Sequence, residues 1–300
     1  MKISITAFLL LLGSLSPAQG QCPPEGLTAA QIAQLRVQGY AIGDDDTRNR
    51  LALALLGCIG DRDPALRDGL AVEAVAAWLR GKSLTSDTVV QLYDGLLAQL
   101  RDTRDPYGFR RPFAVLVLSE VARADRIDAV LTAQQRAALV DTAIGFINEI
   151  NDYRGYSDTE GWRHGVAHAA DLILQLAINP QVDAPAVERL MNALASRIAP
   201  TVKVYYIHGE PERLVRAVYF TWGRGVLDAA FWTRWFDAIS SPLPAADWGQ
   251  VMSNERGLAR RHNTQAFLLN LAHVARKGRG ATDAALLAEA DRALARFYGE

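Results

Sequence analysis

Apolar residues along most of the chain follow helical rather than strand periodicity. Between Leu70 and Leu79, the residues Leu70, Val72, Val75, Ala76 and Leu79 form one broad apolar face. Alternation with period two is confined to a short run, Val202 to Ile207. Helix starts are marked by Asp63-Pro64, an N-cap followed by proline at the first helical position, and by Thr28, Ser86, Thr132 and Thr282. Breaks fall at Gly60-Asp61, Asp105-Pro106, Asn179-Pro180, Pro200, Gly209-Glu210-Pro211 and Ser241-Pro242. Between them the pattern predicts helices over about 27–38, 45–58, 64–80, 86–102, 110–124, 132–150, 157–178, 183–199, 211–226, 229–240, 244–276 (broken near Asn254 to Gly257) and 282–297.

Short loops between so many helices predict antiparallel pairs stacked side by side. The expected class is all-α, and the expected architecture is a HEAT-like α-solenoid or helical superhelix. The run Asp61-Arg62-Asp63-Pro64-Ala65-Leu66-Arg67-Asp68 looks like the first helix of a HEAT-type repeat. No linker marks a domain boundary, so residues 21–300 read as one domain, with Lys203 to Glu212 the best place for a seam.

Composition narrows the classes. The 300 residues are 50% hydrophobic and 22% charged, enough to bury a large core, which excludes disorder as the main state. A net charge of −1 argues against nucleic acid as a partner. Residues 1–20 read as a secretory signal: Lys2 is the positive region, Ile5 to Leu12 the apolar core, and Ala18-Gln19-Gly20 the cleavage signature before Gln21. Cys22 just past it raises lipid attachment, but Gln21 is a poor fit to the small residue wanted there. No later stretch is apolar and long enough to span a membrane. The expected location is therefore exported, periplasmic or secreted. Cys22 and Cys58 then pair as a disulfide, the alternative being a free buried Cys58 and a mobile Cys22.

The most informative chemistry lies between Ser157 and Ala177. On one continuous helix Ser157, Glu160, His164, His168, Asp171 and Gln175 form a single polar stripe, while the other faces are mostly apolar. Three readings are open. One is a buried hydrogen-bond network in which Asp171 accepts from His168. The second is a ligand pocket. The third is a site for one divalent metal held by His164, His168 and Asp171, with Glu160 as the candidate general base. The zinc-protease helix is excluded, because the residues between the histidines contain no glutamate. Arg110, Arg111, Glu210, Glu212 and Arg213 form a second cluster that could face the first and suit an anionic ligand, although such pairs also simply join helices. His208 is a candidate third imidazole, while His262 and His273 read as surface residues. Aromatic residues from Tyr205 to Phe236 read as core packing, with sugar or peptide binding the alternative. There is no phosphate loop or nucleophile elbow, and no histidine lies near either cysteine.

Several segments resemble a bacterial family of proteins of unknown function, the one numbered 2785. They are Gly60-Asp61-Arg62-Asp63-Pro64 with Leu66-Arg67-Asp68, Arg111-Pro112-Phe113 with Val115 to Leu118, Asp152-Tyr153-Arg154-Gly155-Tyr156 with Gly161 to Leu172, Glu210 to Leu214, and Asn263 with Phe267 to Leu269. The likeness runs from about Gly43 to residue 300. It implies an all-helical, HEAT-like fold and no established activity. The chain departs from the pattern in its signal segment and in Arg163, where the motif usually has alanine.

Two functional expectations follow. The first is a binding module that recognises a small ligand, or a peptide or protein of the cell envelope, through Arg111, Trp162, His164, His168, Asp171, Glu212 and Arg213. The second is a hydrolase acting on an envelope component with Glu160, His164, His168 and Asp171, with or without a metal.

Overall fold

The computed structural model describes residues 22–25, 27–102, 104–243 and 245–298. The expected signal segment, residues 1–20, lies outside the described residues. The described chain is all-α apart from one small hairpin. In order the helices are α1 (Ala29–Val37), α2 (Asp45–Ala54), α3 (Pro64–Leu66), α4 (Glu73–Arg80), α5 (Ser86–Arg101), α6 (Arg110–Asp128) and α7 (Ala133–Glu149). The hairpin strands β1 (Tyr156–Ser157) and β2 (Gly161–Trp162) come next. Then follow α8 (Gly165–Ala177), α9 (Ala184–Ile198), α10 (Glu210–Arg224), α11 (Ala229–Ile239), α12 (Trp248–Val251), α13 (Glu255–Lys277) and α14 (Ala281–Ala295). A 3-10 turn, Leu55–Cys58, extends α2, and a π-helical segment, Arg67–Val72, joins α3 to α4 without a break.

Caps explain most boundaries. Thr28 and Thr132 each close a capping box with Gln31 and Gln135, and Asp63 accepts from the Ala65 amide ahead of Pro64. Two expected caps move by a residue or two. Thr85, not Ser86, caps α5, and α14 starts after Gly280 rather than at Thr282. The break expected near Asn254 is present, with the Asn254 side chain capping α13.

The helix expected over 157–178 is the main local correction. Its first part is the hairpin, paired Tyr156 to Trp162 and Ser157 to Gly161. The Ser157 hydroxyl accepts from the amides of Thr159 and Glu160, which closes a tight turn, and Gly161 takes a left-handed φ of 73° that an α-helix cannot continue through. The period-two run Val202 to Ile207 forms no strand, because nothing pairs with it among the described residues.

Packing centres on α8, which touches α6, α7, α9 and α10. Every residue of α8 except Gln175 is buried. Each of Leu172, Ile173, Leu174 and Leu176 removed from water contributes about 1.5–3 kcal/mol. Contacts also run from α4 to α6, α6 to α8, α8 to α10 and α10 to α13, while α7, α9, α11 and α14 touch in turn behind them. Cys22 and Cys58 are joined by a disulfide with Cα atoms 5.0 Å apart, which ties the segment before α1 to the end of the α2 extension. No described helix is long and apolar enough to cross a membrane.

Candidate functional site

His164 is the N-cap of α8 and sits in the left-handed region at φ 54°. A non-glycine residue there is strained, and the surroundings must hold it. Its amide donates to the Arg154 carbonyl at 3.1 Å, completing the hairpin, and its carbonyl accepts from His168 at 3.0 Å, opening the helix. The His164 ring stacks on Trp162 with centroids 4.7 Å apart and meets the His168 ring edge-on at 5.9 Å. His208 approaches Trp162 edge-on at 6.3 Å. Gly155 makes room for that ring, since a Cβ on it would lie 2.2 Å from His208 Cδ2.

Both imidazoles of α8 are neutral at pH 7. Burial holds His168 down to about 3, and the neighbouring His164 adds to it. Burial likewise brings His164 down to about 4, with the Arg213 charge next in importance. His168 Nδ1 lies 3.1 Å from the Pro112 carbonyl oxygen. A carbonyl only accepts, so Nδ1 carries the proton and Nε2 keeps its lone pair. The expected acceptor, Asp171, is therefore not the partner of His168.

His164 Nε2 is buried and has no hydrogen-bond partner. The nearest carboxylate oxygen, Glu210 Oε1, is 4.0 Å away, too far for a direct bond. Glu210 is buried at the start of α10, and its Oε2 accepts from the His208 amide at 2.9 Å. The sequence pattern groups Glu210 with Arg110, Arg111, Glu212 and Arg213. Its position at the helix start, next to His208, was the available signal.

The rest of the expected stripe separates. Asp171 is bonded to Arg213, and Arg216 lies 3.9 Å from its other oxygen. Burial pushes the Asp171 carboxyl up, and the two arginines pull it back. Arg80 grips Glu120 close by, with Nε donating to Oε2 at 2.9 Å. Ser157 and Glu160 are on the hairpin and not on α8. Glu160 Oε2 accepts from Arg163 at 3.0 Å and Oε1 from Arg62 at 3.3 Å. Those bonds, Arg163 first, hold it below the usual carboxylate range, so it is a poor general base. Among the described residues no group of three or more His, Cys, Asp or Glu side chains is arranged to hold a metal ion. The proposed metal set is broken up by the arginines that occupy Asp171.

Arg111 does not face the imidazoles. It donates to Glu149 at 2.9 Å and lines a cavity of about 250 Å³ with Pro112, Phe146, Asp152, Arg154 and Gly165. None of Trp162, His164 and His168 lines that cavity. Glu212 is exposed on α10, whereas Arg213 reaches the site through Asp171. Arg163, the departure from the motif, is buried. It donates to the Tyr107 carbonyl at 3.1 Å and lies over the Phe109 ring at 4.1 Å, beside Arg67 at 4.0 Å from the same ring.

An all-α chain with two neutral imidazoles at the head of its central helix, one of them on a strained backbone, defines the class without defining an activity. The family model described as protein of unknown function (DUF2785) matches residues 96–272, more than half of the chain, and the chain belongs to that family. The match takes in the hairpin, α8 and the start of α10, but not the Gly60 to Asp68 motif. No curated protein and no solved structure matches it.

Proposed function

We propose that this is an exported, HEAT-like superhelical binding protein, and that its ligand is a small neutral molecule rich in hydroxyl groups, such as a sugar of the cell envelope. One observation carries the reading: His164 Nε2 is buried without a partner, 4.0 Å from Glu210. An unmet buried polar atom costs about 1–3 kcal/mol. In the tautomer that carries its proton on Nε2, His164 donates to a hydroxyl seated in the gap, which in turn donates to the carboxylate. Trp162, still 39% exposed, offers an aromatic surface beside it, and Tyr156, 48% exposed, adds a second ring 5.0 Å away and tilted at 56° to it. Neutral imidazoles and a neighbouring carboxylate disfavour an anion in this gap. The Cys22–Cys58 disulfide supports an oxidising compartment, and the succession of helix contacts supports the superhelical build.

Saturation-transfer NMR with a panel of neutral sugars and polyols tests the ligand class. Signal on sugar ring protons that disappears in Trp162→Ala supports it. A panel without signal, or near-stoichiometric metal in the purified protein that is lost in His168→Ala, sinks it. Mass spectrometry of the exported protein should find an N-terminus at Gln21. Full-length protein confined to the cytoplasm would refute export.

A further inference from the structure

We infer a second site beside the His164 gap, on the side of α8 that carries Asp171 and Gln175: the guanidinium groups of Arg123 and Arg126 on α6 and of Arg213 and Arg216 on α10 form a seat for a small multivalent oxyanion. The polar residues of α8 set its floor. Asp171 and Gln175 are one helical turn apart on the same face, roughly 6 Å along the axis. Arg213 and Arg216 reach Asp171 from α10, and Arg126 reaches Gln175 Oε1 at 3.1 Å from α6. Three arginines therefore converge on two adjacent turns of a buried helix, and Arg123, one turn back from Arg126 on α6, is close enough for its charge to act on Arg126.

Charge is left over there. Arg123 makes no ion pair or hydrogen bond among the described residues, and Arg126 is bonded only to a neutral amide. Both are half-buried, and burial together with the Arg123 charge brings Arg126 below its ordinary value. Asp171 is one carboxylate shared by two arginines, and Glu120, the next nearest, is already gripped by Arg80. Arg213 and Arg216 stay accessible, with side chains 39% and 53% exposed. Guanidinium forks suit oxygens carried on planar or tetrahedral centres, and an anion with several such oxygens can engage two turns at once. Diphosphates and tricarboxylates share that chemistry.

Calorimetry on the intact mature protein at low ionic strength tests the site with pyrophosphate and with citrate as probes. Saturable one-to-one binding of either, with Kd of ~0.1 mM or tighter, is expected. Tight pyrophosphate with weak citrate marks a phosphate ligand, and the reverse a carboxylate ligand. Arg126→Gln and Arg123→Gln should weaken binding about tenfold, while Trp162→Ala leaves it unchanged. Without anion, Arg126→Gln should melt no lower than the parent, because it removes an uncompensated charge. The proposal falls if neither probe binds at ~10 mM, if the arginine variants bind as well as the parent, or if Arg126→Gln melts several degrees lower without anion, which would make Arg126 a strut.

Discussion

Two imidazoles buried in the neutral state make acid the most direct probe of the site. Free histidine titrates near 6.5, while the fold holds His164 near 4 and His168 near 3. Above pH 6.5 neither state binds the extra proton, and the full stability is present. As pH falls below 6.5 the unfolded chain takes up protons that the folded chain refuses, so stability drains away until the folded values are reached. At pH 4.5 each histidine costs roughly 2–3 kcal/mol, about 5 kcal/mol together, against a total of about 5–15 kcal/mol for a typical domain. Carboxylates held low in the fold, such as Asp152, also lose stability as pH falls, so the histidine share must be isolated by difference. His168→Asn keeps a donor for the Pro112 carbonyl, and His164→Asn tolerates the left-handed backbone. Urea unfolding of the parent and the double variant at pH 7.0 and 4.5 gives the comparison. The parent should lose about 4–5 kcal/mol more than the variant between the two. Equal losses would show that the imidazoles protonate freely in the fold, and the buried neutral pair would be refuted.

Three further outcomes follow. Gly155→Ala drives a Cβ into the His208 ring, so it should cost about 1–3 kcal/mol and shift the Trp162 fluorescence, and a silent variant would show that the loop is loose. Arg67 is fully buried and bonds the carbonyls of Asp61, Arg62 and Glu160, so Arg67→Met should lose about 3–5 kcal/mol in urea unfolding, as three acceptors lose their donor. Opening the Cys22–Cys58 link, which closes a separation of 36 residues, should lower stability by about 4 kcal/mol, and an unchanged denaturation midpoint after reduction would show that the N-terminal segment is not held through it.

The helices were legible because burial imposes its period on the sequence and because Thr28, Asp63 and Thr132 announce their own caps. The hairpin was not, since Ser157, Glu160, His164 and His168 have helical spacing by coincidence, and the Ser157 turn together with the left-handed Gly161 and His164 overrules it. The adjacency of His164 and His168 could be read from a four-residue interval. The partners of the site were legible only in part. Pro112 acts through a backbone carbonyl that no side-chain pattern reveals, and although Glu210 and Arg213 were expected in a cluster facing the stripe, which atoms they meet there is set by tertiary packing.

The π segment between α3 and α4 has a consequence for how the first half of the molecule is aimed. Arg67 and Trp78, eleven positions apart, would share a face on an unbroken α-helix. The wider turn of Arg67–Val72 delays the screw by about one residue, roughly 100°. One rod can thus point Arg67 at Phe109, Phe113 and the hairpin while Trp78 reaches the Tyr40 carbonyl. The segment acts as a phase shifter, so that losing a single residue within it would scarcely shorten the rod yet would turn one of its two anchors away from its mate.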